Sequence, residues 1–177
     1  MYDIQEILID EQTIANKVAE LAGRISKDYA GEDLLLVGIL KGAVVFLSDL
    51  MRGISMPVEI DFIHASSYGK GAVPSGRIRL KKDIEADIRG RHVLLVDCII
   101  DTGETLDYLF RMLSERRPGS LEAAVLLDKK PRRTVEVSLK YRGFEIPDKF
   151  VVGYGVDCGE QYRNLPYIAA VRTNPDT

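Results

Sequence analysis

The sequence has little of what marks a disulfide-stapled, metal-clustered or membrane-spanning chain. It carries two cysteines, Cys98 and Cys158. Their separation gives no metal-type spacing, and two cysteines argue against a disulfide framework. No apolar run approaches the roughly 20 residues needed to cross a bilayer. The opening stretch "MYDIQEILID" has acids and lacks the basic lead of a secretory signal. Charge of one sign is also missing: 24 Lys+Arg against 27 Asp+Glu leave a net charge of -3. That balance gives no electrostatic footprint for nucleic acid. There is no internal repeat and no low-complexity segment. These absences predict a cytoplasmic protein with no nucleic-acid and no membrane partner.

What is present suits one domain with a real core: 177 residues, 46% apolar and 29% charged. Asp10 can cap a helix over about residues 11–29, with Ile14, Val18, Leu21, Ala22 and Ile25 on one face. "LLLVGI" (34–39) reads as a buried strand, and "LKGAVVFLSDLM" (40–51) leaves it through Lys-Gly into a helix. "VEIDFIHAS" (58–66) alternates as a strand does. The Gly-rich "YGKGAVPSG" (68–76) predicts a mobile loop, and "RIRLKK" (77–82) a weaker strand. "HVLLV" (92–96) is the most apolar strand, followed by a helical face of Leu106, Leu109, Phe110 and Leu113 that stops near Pro118-Gly119. "EAAVLLD" (122–128), "KFVVGYGVD" (149–157) and "YIAAVR" (167–172) read as further strands. Strand and helix alternate, and the strands are apolar on both faces. That pattern predicts a parallel sheet covered by helices, with ligands beyond the carboxyl ends of the strands.

Three chemically loaded segments leave such ends: "LKGA", "DCIIDTGET" and "DKKPRR". In the second, Asp101, Thr102, Gly103, Glu104 and Thr105 occupy a strand-to-helix turn. Unpaired N–H groups, the helix dipole, a glycine and two hydroxyls make a monophosphate cradle. Read alone, Asp-Thr-Gly is more often a helix cap. The Walker pattern is absent, so this is not a P-loop. Lys41-Gly42 alone is an ordinary helix start, "KKPRR" a solvated basic run, and Phe150 either a core residue or a stacking platform.

"VLLVDCIIDTGETL" resembles the phosphoribosyl-diphosphate signature of the type I phosphoribosyltransferases. "GILKGAVVFLSDL", "DFIHASSYG", "DIRGRHVLLV" and "FEIPDKFVVGYGVDCGEQYRNLPYI" extend the likeness, to the hypoxanthine-guanine branch, over nearly the whole chain. The resemblance implies an α/β type I phosphoribosyltransferase fold over residues 1–177: a central, mostly parallel sheet flanked by helices. It adds a small hood from the N-terminal segment and the C-terminal part, and a flexible active-site loop at about 67–77. The implied reaction joins a purine base to C1 of phosphoribosyl diphosphate and releases pyrophosphate, with Mg²⁺ as cofactor. IMP or GMP would form from hypoxanthine or guanine. A xanthine-preferring enzyme and a nucleotide-sensing regulator on the same fold are the alternatives.

The resemblance also implies roles. Asp101, Thr102, Gly103, Glu104 and Thr105 would hold the 5-phosphate, and Asp101 would also take or give the proton near N7 of the base. Asp97 would contact the ribose hydroxyls and their Mg²⁺. Leu40, Lys41, Gly42 and Arg163 would bind pyrophosphate, and the Leu40–Lys41 peptide is often cis in such enzymes. Lys129, with Lys130 as its competitor, would donate to the purine 6-oxo group. Phe150 would stack on the base, Val151 would bond its edge, and Asp157 would face a second Mg²⁺ beside the base pocket. Ser67 and Tyr68 would belong to the closing loop. A homodimer or homotetramer is expected by resemblance alone.

Cys98 departs from the family pattern, which has an acid there. Strand alternation puts Asp97 and Cys98 on opposite faces. Cys98 is then either a small buried apolar group packed under a helix or the sign of a weakened ribose-side metal site.

Overall fold

The computed structural model describes residues 3–67 and 78–172. Its centre is a six-stranded sheet. The strands are β2 (Leu34–Ile39), β3 (Glu59–Ser67), β4 (Ile78–Lys82), β5 (His92–Ile100), β6 (Ser120–Asp128) and β7 (Tyr141–Glu145). They run in the order β4-β3-β2-β5-β6-β7. Every neighbouring pair is parallel except β3–β4. A second sheet has the order β1-β9-β8, from β1 (Asp3–Ile9), β9 (Ile168–Arg172) and β8 (Val151–Val152). It joins the two ends of the described chain.

Helix α1 (Glu11–Asp28) starts where Asp10 accepts the Thr13 N–H at 2.8 Å, and buries the face Ile14, Val18, Leu21, Ala22, Ile25. α1 and α2 (Val44–Gly53) cover one side of the sheet, over Leu34, Leu36, Leu94, Val96 and Cys98. α3 (Glu104–Ser114) covers the other, with Leu106, Leu109 and Leu113 on Leu35, Val37, Val93 and Leu95. Up to Cys98, residues of even number on β2 and β5 therefore face α1 and α2 and those of odd number face α3; at the end of β5 the sides exchange, with Ile99 against the first cluster and Ile100 in the second. Burying one such aliphatic side chain stabilises by about 1.5–3 kcal/mol. Two continuous apolar faces fix the register of the central strands, because a one-residue slip would exchange the faces.

The expected strand over 149–157 is corrected to two residues, Val151–Val152. Gly153, Tyr154 and Gly155 all have positive φ, at 104°, 47° and 96°. The chain therefore folds back, and Gly153 N–H reaches Val156 O at 2.9 Å. Strands β1 and β7 were not expected. β5 runs on to Ile100, which sets the Asp-Thr-Gly turn directly at its end.

Candidate active site

The cradle is built from behind. Gly103 caps α3 with φ 91°, and a Cβ there would lie 2.4 Å from Val135 O. The segment 133–135 thus presses against the turn and consumes its carbonyls. Thr134 and Val135 N–H donate to Thr102 O at 2.9 and 3.1 Å. Arg133 Nε donates to Asp101 O at 3.2 Å. With the carbonyls tied back, the first N–H groups of α3 have no intrahelical acceptor and suit an anion. A cavity of about 120 Å³ opens here, lined by Asp97, Asp101, Thr102, Gly103 and Thr105 among others. Glu104 stands in the first turn of α3 but does not line it.

A second cavity, about 420 Å³, adjoins it and shares Asp97, Ile99 and Thr105. Lys41, Gly42, Asp157 and Arg163 close its other side. The Leu40–Lys41 peptide is cis. Gly42 packs on Gly155, where a Cβ would lie 2.1 Å from Gly42 O. Arg163 Nη1 donates to Gly155 O at 2.8 Å, and Gly155 N–H returns to Arg163 O at 2.9 Å. Two distant segments are thereby locked together at the mouth. Glu160, which no sequence signal marked, stands between the cations: Lys41 Nζ lies 2.9 Å and Arg163 Nη2 3.1 Å from its carboxylate. The Lys41 bond, then Arg163, holds Glu160 below the usual carboxyl range. Arg163 also pairs with Asp157 at 2.9 Å.

Lys129, Phe150 and Val151 line neither cavity; Lys129 is buried, and its N–H donates to Ile100 O at 3.0 Å, at the end of β5. Lys130 instead lines a separate cleft with Arg24, Arg133, Lys140 and Arg142. Phe150 is 45% exposed, which rules out plain core packing for its ring. Val151 is buried and pairs with Ala170. Arg132, part of the "KKPRR" run but given no role by the sequence, sets Nε 3.1 Å from Asp101 Oδ1 and lies 3.9 Å from Asp148.

Asp97 and Cys98 do face opposite ways. The Asp97 carboxylate accepts the Cys98 N–H at 2.7 Å. Burial outweighs that bond and the Ile99 N–H, and pushes the Asp97 carboxyl up to about 7. Cys98 is fully buried, and its Sγ donates to Tyr154 O at 3.1 Å. Burial raises its thiol far above the ordinary range. The packed-thiol alternative therefore holds for its side chain. Ser67 ends β3, while Tyr68 and the rest of 68–76 lie outside the described residues.

The family model for the phosphoribosyl transferase domain matches residues 5–158. The chain belongs to the phosphoribosyltransferase family. Its fold is that of the type I members. Over 170 residues it is 46% identical to hypoxanthine-guanine phosphoribosyltransferase of Streptococcus pneumoniae, covering 96% of this chain and 94% of that protein. It is 44% identical to the bifunctional protein TilS/HprT of Listeria monocytogenes, of which it spans 26% of the length. A hypoxanthine phosphoribosyltransferase crystal structure from Staphylococcus aureus matches with TM-score 0.92 at 44% identity, covering 96% of this phosphoribosyltransferase and 92% of that chain. Among the described residues, no helix is long and apolar enough to cross a membrane.

Proposed function

We propose that this phosphoribosyltransferase moves the 5-phosphoribosyl group of phosphoribosyl diphosphate onto hypoxanthine or guanine, giving IMP or GMP and pyrophosphate. One observation carries the reading: the helix-start cradle and the Lys41–Arg163 cavity share Asp97 and Thr105 as a common wall. A sugar with phosphate at one end and diphosphate at the other spans that arrangement.

The bond from C1 to pyrophosphate breaks, the bond from C1 to a purine ring nitrogen forms, and the purine loses one proton. Asp101 receives that proton near N7. Residues 101–105 hold the 5-phosphate through N–H and hydroxyl donors. Leu40, Lys41, Gly42 and Arg163 hold the leaving pyrophosphate with main-chain N–H groups, an ammonium and a guanidinium fork. Asp97 orients the ribose hydroxyls. Lys129 donates to the 6-oxo oxygen, which an adenine amino group would not accept. Phe150 stacks on the base, Val151 bonds its edge through the main chain, and Asp157 stands beside the base pocket. Most of the rate enhancement then comes from orientation and fixed charge.

Mg²⁺ fits this donor set. Asp97 and Asp157 offer hard carboxylate oxygens to the larger cavity. The described residues hold no cluster of three ligating side chains. Mg²⁺ asks for no such cage, since it takes one or two carboxylates and completes its shell with phosphate oxygens and water. When bound, it neutralises the charge that develops on the departing pyrophosphate. We read residues 1–177 as one catalytic domain, with the β1-β9-β8 sheet as its hood and Ser67 and Tyr68 at the start of the closing loop. The protein is taken as a cytoplasmic homodimer or homotetramer.

The test is incubation with phosphoribosyl diphosphate, Mg²⁺ and each of hypoxanthine, guanine and xanthine. IMP and GMP should form with stoichiometric pyrophosphate. Fastest turnover of xanthine would transfer the enzyme to the xanthine-preferring class, and no nucleotide from any base would overturn the reading.

A further inference from the structure

Asp101 carries an unusual oxygen. Its side chain is 44% exposed as a whole, yet Oδ1 is buried and has no hydrogen-bond partner. A buried carboxylate oxygen without a donor is costly unless charge compensates it. The compensation comes from Arg132, whose Nε lies 3.1 Å away but is not aligned to donate. The guanidinium therefore covers and neutralises the oxygen while leaving its lone pair unused.

Arg132 is held in place from both sides. It ends a 3-10 turn, Lys130–Arg132, that contains Pro131, and its N–H donates to Lys129 O at 3.1 Å. Arg133 follows, with Nη2 bonded to the buried Asp128 and Nε to Asp101 O. The other guanidinium edge of Arg132 faces Asp148, two residues before Phe150. The remaining charged group at the same cavity is Asp97. Arg132 thus ties the acid at the end of β5 to the segment that carries the exposed aromatic ring.

We propose that Arg132 is a positioning residue for the transfer step: by covering the buried Oδ1 it fixes the Asp101 carboxylate so that the other oxygen, on the exposed side, takes the purine proton. This rests on the reading of Asp101 as the group that handles that proton. Arg132 touches neither phosphate cavity, so its removal should leave phosphoribosyl diphosphate binding intact.

The experiment is a double-mutant cycle on steady-state turnover. Arg132→Gln should lower kcat about tenfold or more, with KM for phosphoribosyl diphosphate within about threefold. Arg132→Lys, which keeps the charge, should recover part of the loss. In an Asp101→Asn background, Arg132→Gln should change kcat by less than about twofold, because the residue it positions is gone. Unchanged kcat in Arg132→Gln, a loss in KM alone, or an equal loss in both backgrounds would overturn the proposal. Asp101→Asn with undiminished kcat would instead overturn the role of Asp101 itself, and Arg132's with it. Arg132 is half-exposed, so a thermal midpoint near wild type should accompany each variant.

Discussion

The Cys98 thiol donates to the main-chain carbonyl of Tyr154 across 3.1 Å, joining β5 to the turn that follows β8. The same tyrosine donates its hydroxyl to Asp49 of α2 at 2.6 Å. Cys98 thus belongs to the packing between sheet, helix and turn, while its neighbour Asp97 faces the cavities. Cys98→Ala removes one small buried group and one weak donor. It should lower stability by about 1–2 kcal/mol. Turnover and its Mg²⁺ dependence should stay within about twofold, since the side chain points away from the site. Denaturant titration and initial rates against Mg²⁺ check both halves. A change in Mg²⁺ affinity would return Cys98 to the metal site.

Gly103 has the opposite character, because any side chain there meets backbone. With φ at 91° and Val135 O only 2.4 Å from an added Cβ, Gly103→Ala must move the 133–135 segment off the turn. The loss should exceed about 1 kcal/mol of stability. KM for phosphoribosyl diphosphate should rise at least about tenfold, as the N–H groups lose their aim. Isothermal titration with GMP, which keeps the 5-phosphate and lacks pyrophosphate, isolates the cradle. Unchanged GMP affinity would place the 5-phosphate elsewhere.

Much of the fold is legible in the sequence. β2 reads with its observed bounds, and β5 and α3 read correctly in kind because each carries a long apolar signal, although β5 runs on to Ile100 and α3 ends at Ser114, before Pro118-Gly119. The alternation of Asp97 and Cys98 follows from strand geometry alone. β1 was invisible because nearly all of Asp3–Ile9 is exposed, so no buried face shows in its pattern. β7, "YRGFE", holds a glycine and two charges and is fixed by its pairing with β6 rather than by propensity. The turn at 153–155 was hidden inside an apolar run, and only its two glycines hinted at it. Arg132 and Glu160 were missed for a different reason. Their partners, Asp101 and Lys41, are 31 and 119 residues away, and no local spacing reports such contacts.

With Lys41 and Arg163 proposed to hold pyrophosphate, Glu160 is their competing partner in the ligand-free protein. It holds φ at 64°, a left-handed conformation rare for a non-glycine, and its N–H is bonded to Asp157 at 3.0 Å. The carboxylate is therefore held against both cations. Both ends of the Lys41 pair are more than half exposed, so the competition is weak. Glu160→Gln should tighten pyrophosphate about two- to fivefold, measured as product inhibition. The difference should shrink at 0.5 M salt as screening grows, roughly in line with a Debye length near 4 Å. The pair is intact above the ordinary Glu range and is lost as pH falls through the lowered Glu160 value, so wild type and variant should converge in acid. Equal inhibition constants at neutral pH and low salt would remove Glu160 from this role.

Asp97 predicts a pH dependence of the opposite sign. Burial raises its carboxyl to about 7, above the unfolded value near 3.8. Between those values the folded, ligand-free protein holds a proton that the unfolded chain has released. Its contribution to stability is fully present below the unfolded value and is lost as pH rises through 7. Ligand-free protein should therefore become less stable between about pH 4 and pH 7 from this group. Asp97→Asn, which mimics the neutral form, should lack that component and be at least as stable as wild type at pH 8. The same variant should lose turnover, because an amide cannot supply the anionic oxygens that the ribose hydroxyls and a dication need. Binding of Mg²⁺ with phosphoribosyl diphosphate should release protons below pH 7, which calorimetry in buffers of different ionisation enthalpy reads directly. No proton release at pH 6, together with an unchanged stability profile in Asp97→Asn, would show that Asp97 is already ionised in the free enzyme.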